Sequence, residues 1–216
     1  MMTDDEPRTE SGDNVTHVAV KGLSEPGNIG GGLLLGFSML TFSFWANAMG
    51  LTNTAGFTVA IGIVLLGFFV IYFVGGLYLL KQGNTLGGCT YVVFAASFGL
   101  FGGAVDVTGT VCAANGLPCD FTLAGIAFLV SGFFLLSVLP GLKYAAKTDF
   151  LIYLFAGIGV AAFGFAGIGG APAAMNPIGG WALLLAAIVT FYAGVAAVLA
   201  GVGVSVPCGR PFFTKS

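Results

Sequence analysis

From Pro26 to Leu80 the chain carries no acidic or basic side chain. A water-soluble domain needs polar residues on the outward side of every helix and strand, and a stretch of this length does not supply them. The rest of the chain agrees: it is 57% hydrophobic and 7% charged, with a mean hydropathy of +1.00, whereas soluble domains carry roughly 25% charged residues. The chain reads as an all-α integral membrane protein, and its net charge of -2 carries no message about acidic or basic partners.

Six apolar runs follow one another: Gly30 to Gly50, Thr58 to Leu80, Leu86 to Val105, Phe121 to Leu139, Phe150 to Ile168 and Gly179 to Val204. Each is near the ~20 residues that a helix needs to cross about 30 Å of hydrocarbon. Strands of a transmembrane barrel are about half as long and alternate polar with apolar, which these runs do not. The expected architecture is a six-helix transmembrane domain over residues 28–206, preceded by a disordered polar tail over 1–27 and followed by a short tail over 207–216. The first tail holds Asp4, Asp5, Glu6, Arg8, Glu10, Asp13, Lys21 and Glu25. It lacks the basic start, short apolar core and small-residue cleavage site of a signal peptide, so the first apolar run is expected to stay in the protein.

Basic residues in short loops tend to remain cytoplasmic. Lys21 precedes the first run, Lys81 follows the second, Lys143 and Lys147 follow the fourth, and Arg210 and Lys215 follow the sixth. Both termini are therefore expected in the cytoplasm, in a multi-pass protein of the cell membrane.

Enzymatic chemistry finds no footing. The one histidine, His17, lies in the polar tail, so neither a metal site of the usual ligands nor a nucleophile-base pair can be assembled, and no cofactor is implied. Cys112 and Cys119 flank Asn115-Gly116 and Pro118 in the expected third-to-fourth loop, where a disulfide would pin an extracytoplasmic turn. Cys89 and Cys208 read as inert small residues. No ionisable side chain lies inside the six runs as drawn, which disfavours a conventional proton relay. A polar solute would have to be handled by neutral groups: Asn28, Ser38, Thr41, Asn47, Asn84, Thr85, Thr90, Ser97, Thr190 and Tyr192. Each of these also fits a plain intrahelical hydrogen bond. Glycine is abundant, 36 of 216 residues against a usual ~7%, and pairs such as Gly32/Gly36 and Gly99/Gly103 have the spacing that lets helix backbones approach closely.

One polar interruption stands out, Lys81-Gln82-Gly83-Asn84-Thr85. Gly83-Asn84-Thr85 fits a turn and helix cap, with a side-chain oxygen accepting from the exposed amides of the next helix. The same residues would equally serve at a pore mouth.

The segment KQGNTLGGCTYVVFAASFG, read with NIGGGLLLGFSMLTFSFWANAMG, GLKYAAKTDF and GGWALLLAAIVTFY, resembles the acetate transporter family, the succinate-acetate permeases. The likeness runs from Asn28 to Tyr192. The chain departs from it at Asn28-Ile29-Gly30-Gly31-Gly32-Leu33, where the family's Asn-Pro-x-Pro signature has lost both prolines. By this resemblance Phe37 matches the family's pore-narrowing Phe. Phe94 stands where the family has Tyr, and the third narrowing residue, a Leu, falls at Leu154 or Phe155. The resemblance further implies a homo-oligomer, a hexamer, in the bilayer and a path for acetate and related short carboxylates, succinate included. Asn28, Asn47, Asn84, Thr85, Thr190 and Tyr192 would then be substrate-facing. An apolar ring of Phe37, Phe94 and Leu154 or Phe155 would pass anions only when wetted, or pass the acid form. Export of ammonia or ammonium and a non-transporting multispan scaffold are the other two readings.

Overall fold

A computed structural model describes residues 29–213. Asn28, the expected polar tail with its charges and His17, and Lys215 lie outside the described residues. Among those described there are helices and no strands: α1 Gly30–Ala48, α2 Thr54–Lys81, α3 Thr85–Phe94, a π-helical stretch Ala95–Gly102, α4 Gly103–Ala114, α5 Thr122–Ser137, a 3-10 turn Leu139–Leu142, α6 Lys147–Gly167 and α7 Pro172–Ala200. α3, the π stretch and α4 form one rod of 30 residues, so the described residues make six rods. The rods over Gly56–Lys81, Thr85–Ala114, Lys147–Gly167 and Pro172–Ala200 are long and apolar enough to cross a membrane, and Thr122–Ser137 is apolar but shorter. This is a multi-pass membrane protein.

Three expected boundaries move notably. The third run, read as ending at Val105, continues as helix to Ala114. That extension takes in Asp106 and Cys112, so Cys112 is a helical residue and not a loop residue. Asp149 likewise lies in the first turn of α6. The expectation of rods without ionisable groups is corrected on both counts. α7 begins at Pro172, seven residues before Gly179, with Pro172 at a first-turn position and Pro177 accommodated inside the helix. At Pro172 the missing N–H is one that the first turn leaves unbonded, whereas Pro177 forgoes the bond to the Ala173 carbonyl.

The rods close into a ring. α1 packs on α7, α7 on α6, α6 on α5, α5 on the π stretch, the π stretch and its flanking helices on α2, and α2 on α1. Glycine explains how they come so near. A Cβ on Gly31 would meet the Gly194 carbonyl oxygen at 3.1 Å, and one on Gly194 would meet that of Gly31 at 3.2 Å. The same reciprocal approach joins Gly159 to Gly179 between α6 and α7, Gly76 to Gly88 between α2 and α3, and Gly125 to the Gly167 backbone between α5 and α6. Without a hydrophobic drive between helices in lipid, such backbone proximity and dispersion hold the ring together. Of the two pairs singled out in the sequence, Gly99 and Gly103 do face α2, against Phe69 and Leu66, whereas Gly32 faces open space and Gly36 the ring of Phe68. Ser38 adds a polar tie, its Oγ donating to the Ala187 carbonyl at 2.9 Å.

Candidate functional site

Inside the ring lies a cavity of about 310 Å³, open toward the end where α2 finishes and α3 and α6 begin. That volume is in the range of small-molecule sites. Its wall is built from stripes at helical spacing: Gly30, Leu34 and Phe37 of α1; Gly87, Thr90, Tyr91 and Phe94 of α3; Asp149, Ile152, Tyr153 and Ala156 of α6. Leu86 of α3, Leu79, Leu135 and Ala197 of the remaining rods, and Leu142 of the 3-10 turn also line it.

Asn84 stands at the mouth. Its Oδ1 accepts from the Gly87 N–H at 2.9 Å, capping α3, and Gly83 before it takes φ +82, which glycine reaches without penalty. Asn84 thus caps the helix and also lines the cavity. Thr85 beside it is exposed and does not line the cavity. Deeper in, Thr90 Oγ1 and the Tyr153 hydroxyl lie 2.7 Å apart, linking α3 to α6 across the inside of the ring. The Thr90 hydroxyl also reaches the Leu86 carbonyl at 2.8 Å.

The floor is aromatic. Phe37 and Phe94 stack with ring centroids 5.0 Å apart and planes 17° apart. Phe98 meets Phe94 edge-on at 4.9 Å and continues to Phe128 at 5.0 Å. Beyond Phe37 there is a void of only about 10 Å³, between Phe37, Leu40, Thr41, Phe44, Phe98, Val160 and Leu183, room for about one water. Phe37 and Phe94 are 3% exposed, so the axis is shut at their level. The π stretch starts one residue after Phe94, and wide turns of this kind recur at functional sites. Farther along the axis Phe44 gathers Phe57, Phe128 and Phe163.

The structure therefore brings Phe37, Phe94 and Asn84 together. Thr90 joins them on the same wall, whereas Leu154, Phe155, Asn47, Thr190 and Tyr192 do not. Leu154 and Phe155 are half-buried and line neither the cavity nor the void; on that helix the inward positions are Ile152, Tyr153, Ala156 and, one turn on, Val160. Phe98 is the third ring of the constriction. Asn47 lies at the other end of α1, where its Oδ1 accepts from the Thr52 hydroxyl at 2.7 Å. Thr190 is fully buried with no partner for its Oγ1 and touches neither chamber. Tyr192 is exposed on α7, its hydroxyl donating to the Pro207 carbonyl at 2.6 Å, and so holds the segment after α7 against the outside of the ring. Cys112 and Cys119 are free thiols; the Cys119 Sγ points to the Gly109 carbonyl at 3.1 Å. Tyr91, Phe98, Asp149 and Tyr153 are the site residues that sequence reasoning missed. The signal was the spacing 87, 90, 91, 94, 98 and 149, 152, 153, 156, which sets each group on one helix face.

No protein-family model matches the chain, and no curated protein matches it in sequence. Among solved structures the chain is similar to that of the bacterial acetate channel SatP, at 20% identity and a TM-score of 0.66, over 89% of this chain and 100% of that one. What this likeness establishes is the architecture: the chain shares the fold of a bacterial acetate channel.

Proposed function

We propose that the protein conducts acetate and similar short carboxylates through the axis of the ring, with the Asn84 cavity as the vestibule and Phe37, Phe94 and Phe98 as the gate. The observation that carries this reading is the blind vestibule ending on stacked rings inside a fold shared with an acetate channel. The vestibule gives the carboxyl end of a solute polar partners in the Asn84 amide, the Tyr153 hydroxyl and Thr90. Its methyl end would rest on the rings. The wider reading has six membrane spans in the cell membrane, both termini cytoplasmic by the placement of Lys81, Lys143, Lys147 and Arg210, and a hexamer. On that reading the vestibule faces the cytoplasm.

Labelled acetate uptake into liposomes holding the purified protein tests the reading. Uptake above that of empty liposomes is expected; none, with the protein intact and folded, overturns it. Release of ammonium is the second reading. It is favoured by one observation, that among the described residues the one acidic or basic side chain lining the vestibule is Asp149, and ammonium release from loaded liposomes without acetate uptake would select it.

A further inference from the structure

Asp149 occupies a position that an anion path does not explain. It lines the vestibule and also a second chamber of about 430 Å³ beside it. That chamber lies between α1, α6, α7 and the segment after α7, with Gly203 to Val206 and Cys208 on its wall. Leu34 and Ala197 are shared by both chambers, so the Asp149 carboxylate stands where they adjoin.

The groups around it are few. On its own helix, Tyr153 is one turn away, and Lys147 turns outward with Nζ 5.1 Å from the Phe212 ring centroid. α3 presents Tyr91, and the segment after α7 presents Ser205 and Cys208. α1, α2 and α7 present only Gly30, Leu34, Phe37, Leu79 and alanines. Lys143 lies over the Tyr144 ring at 4.8 Å and lines neither chamber. Among the described residues no lysine or arginine lines the vestibule, so nothing there neutralises Asp149 or attracts an anion.

We infer that Asp149 filters solutes by charge, admitting the neutral carboxylic acid and rejecting the carboxylate. This rests on the proposed carboxylate conduction. An acid can donate its O–H to the Asp149 carboxylate, while its carbonyl oxygen accepts from the Asn84 amide; acid and carboxylate make a strong charge-assisted hydrogen bond. The anion has no proton to donate, and it meets a like charge in a confined cavity where screening by water is weak. At pH 7 on the order of 0.1% of a short carboxylic acid with a pKa of about 4 is neutral, so the filter makes conduction electroneutral and steeply pH-dependent.

The test is planar-bilayer current with symmetrical acetate at pH 7, run beside labelled acetate uptake into liposomes at pH 5, 6 and 7. Wild-type protein is expected to take up acetate, with uptake falling about tenfold per pH unit above the acid's pKa, and to carry no acetate current. Asp149→Asn is expected to carry an acetate current at least tenfold above the protein-free bilayer background and to lose the steep pH dependence. Asp149→Glu keeps the charge and is expected to carry no acetate current, which separates loss of charge from loss of fold. A wild-type acetate current unchanged in Asp149→Asn would overturn the filter while leaving acetate conduction standing. Absence of acetate uptake by wild type at every pH overturns the proposed function and the filter with it. A wild-type ammonium current lost in Asp149→Asn overturns the filter and assigns the carboxylate to a cation.

Discussion

Truncating the gate has a calculable consequence. Phe94 is almost wholly buried, stacks on Phe37 at 5.0 Å and meets Phe98 edge-on at 4.9 Å, with Tyr72 and Tyr91 each at 6.3 Å. Aromatic pairs of this geometry contribute about 0.5–1.5 kcal/mol each beyond their burial. Removing the two closest takes about 1–3 kcal/mol from the closed arrangement, a factor of roughly 5 to 150 in the closed-to-open ratio. Phe94→Ala is therefore expected to raise labelled acetate uptake by one to two orders of magnitude over wild type, on this arithmetic. It should also weaken the fold, by about 3–5 kcal/mol if the site cannot collapse. The assay is initial uptake into liposomes, corrected for empty liposomes and for protein recovered as folded by size-exclusion chromatography. Phe133→Ala removes a ring that is 56% exposed on the outer surface and should leave uptake unchanged. Uptake by folded Phe94→Ala at or below the wild-type level would refute the gate.

Other substitutions separate roles that one residue combines. Asn84→Ala removes a helix cap, at about 1 kcal/mol, and should lower uptake at unchanged assembly. Asn84→Ser restores the cap without the amide, so recovery of uptake in that variant would reduce Asn84 to a cap. Phe94→Tyr puts a hydroxyl on the gate and should shift the preference between acetate and larger acids in competition assays; no shift removes Phe94 from the path. Gly132 faces the backbone of Ala161 across the α5–α6 contact, where overpacking costs about 1–3 kcal/mol or more. Gly132→Val should lower the thermal midpoint of the detergent-purified protein, and an unchanged midpoint would refute that packing.

Much of the architecture was legible because each rod is a long apolar run bounded by turn residues such as Gly50, Gly83 and Gly116, all of which take positive φ. The Asn84 cap was legible for the same local reason. The end of the third rod was not, since Asp106, Thr108 and Thr110 look like loop residues, yet both threonine hydroxyls bond back to carbonyls four residues earlier and so cost the helix little. The inward faces were harder still. In a soluble helix the polar side marks the outside, whereas these helices are apolar all round, so Phe98 and Phe133 look alike in sequence although one is in the constriction and the other faces outward. Leu154 and Phe155 illustrate the same limit: a displacement of one position along α6 is about 100° of rotation, which is the difference between the ring wall and the axis. Asp149 escaped because it sits at the margin of an apolar run, where a charge ordinarily means the end of a membrane segment.

The central claim is that solute passes along the axis of the ring through the Asn84 vestibule, and obstructing the vestibule tests it most directly. Leu86→Cys, in a protein whose four native cysteines are replaced, places one thiol on the vestibule wall, to be labelled in liposomes with a bulky thiol reagent while acetate uptake is followed. Uptake falling to the empty-liposome level as labelling reaches completion is the result this account predicts. Uptake undiminished at full labelling would contradict it and put the path outside the ring.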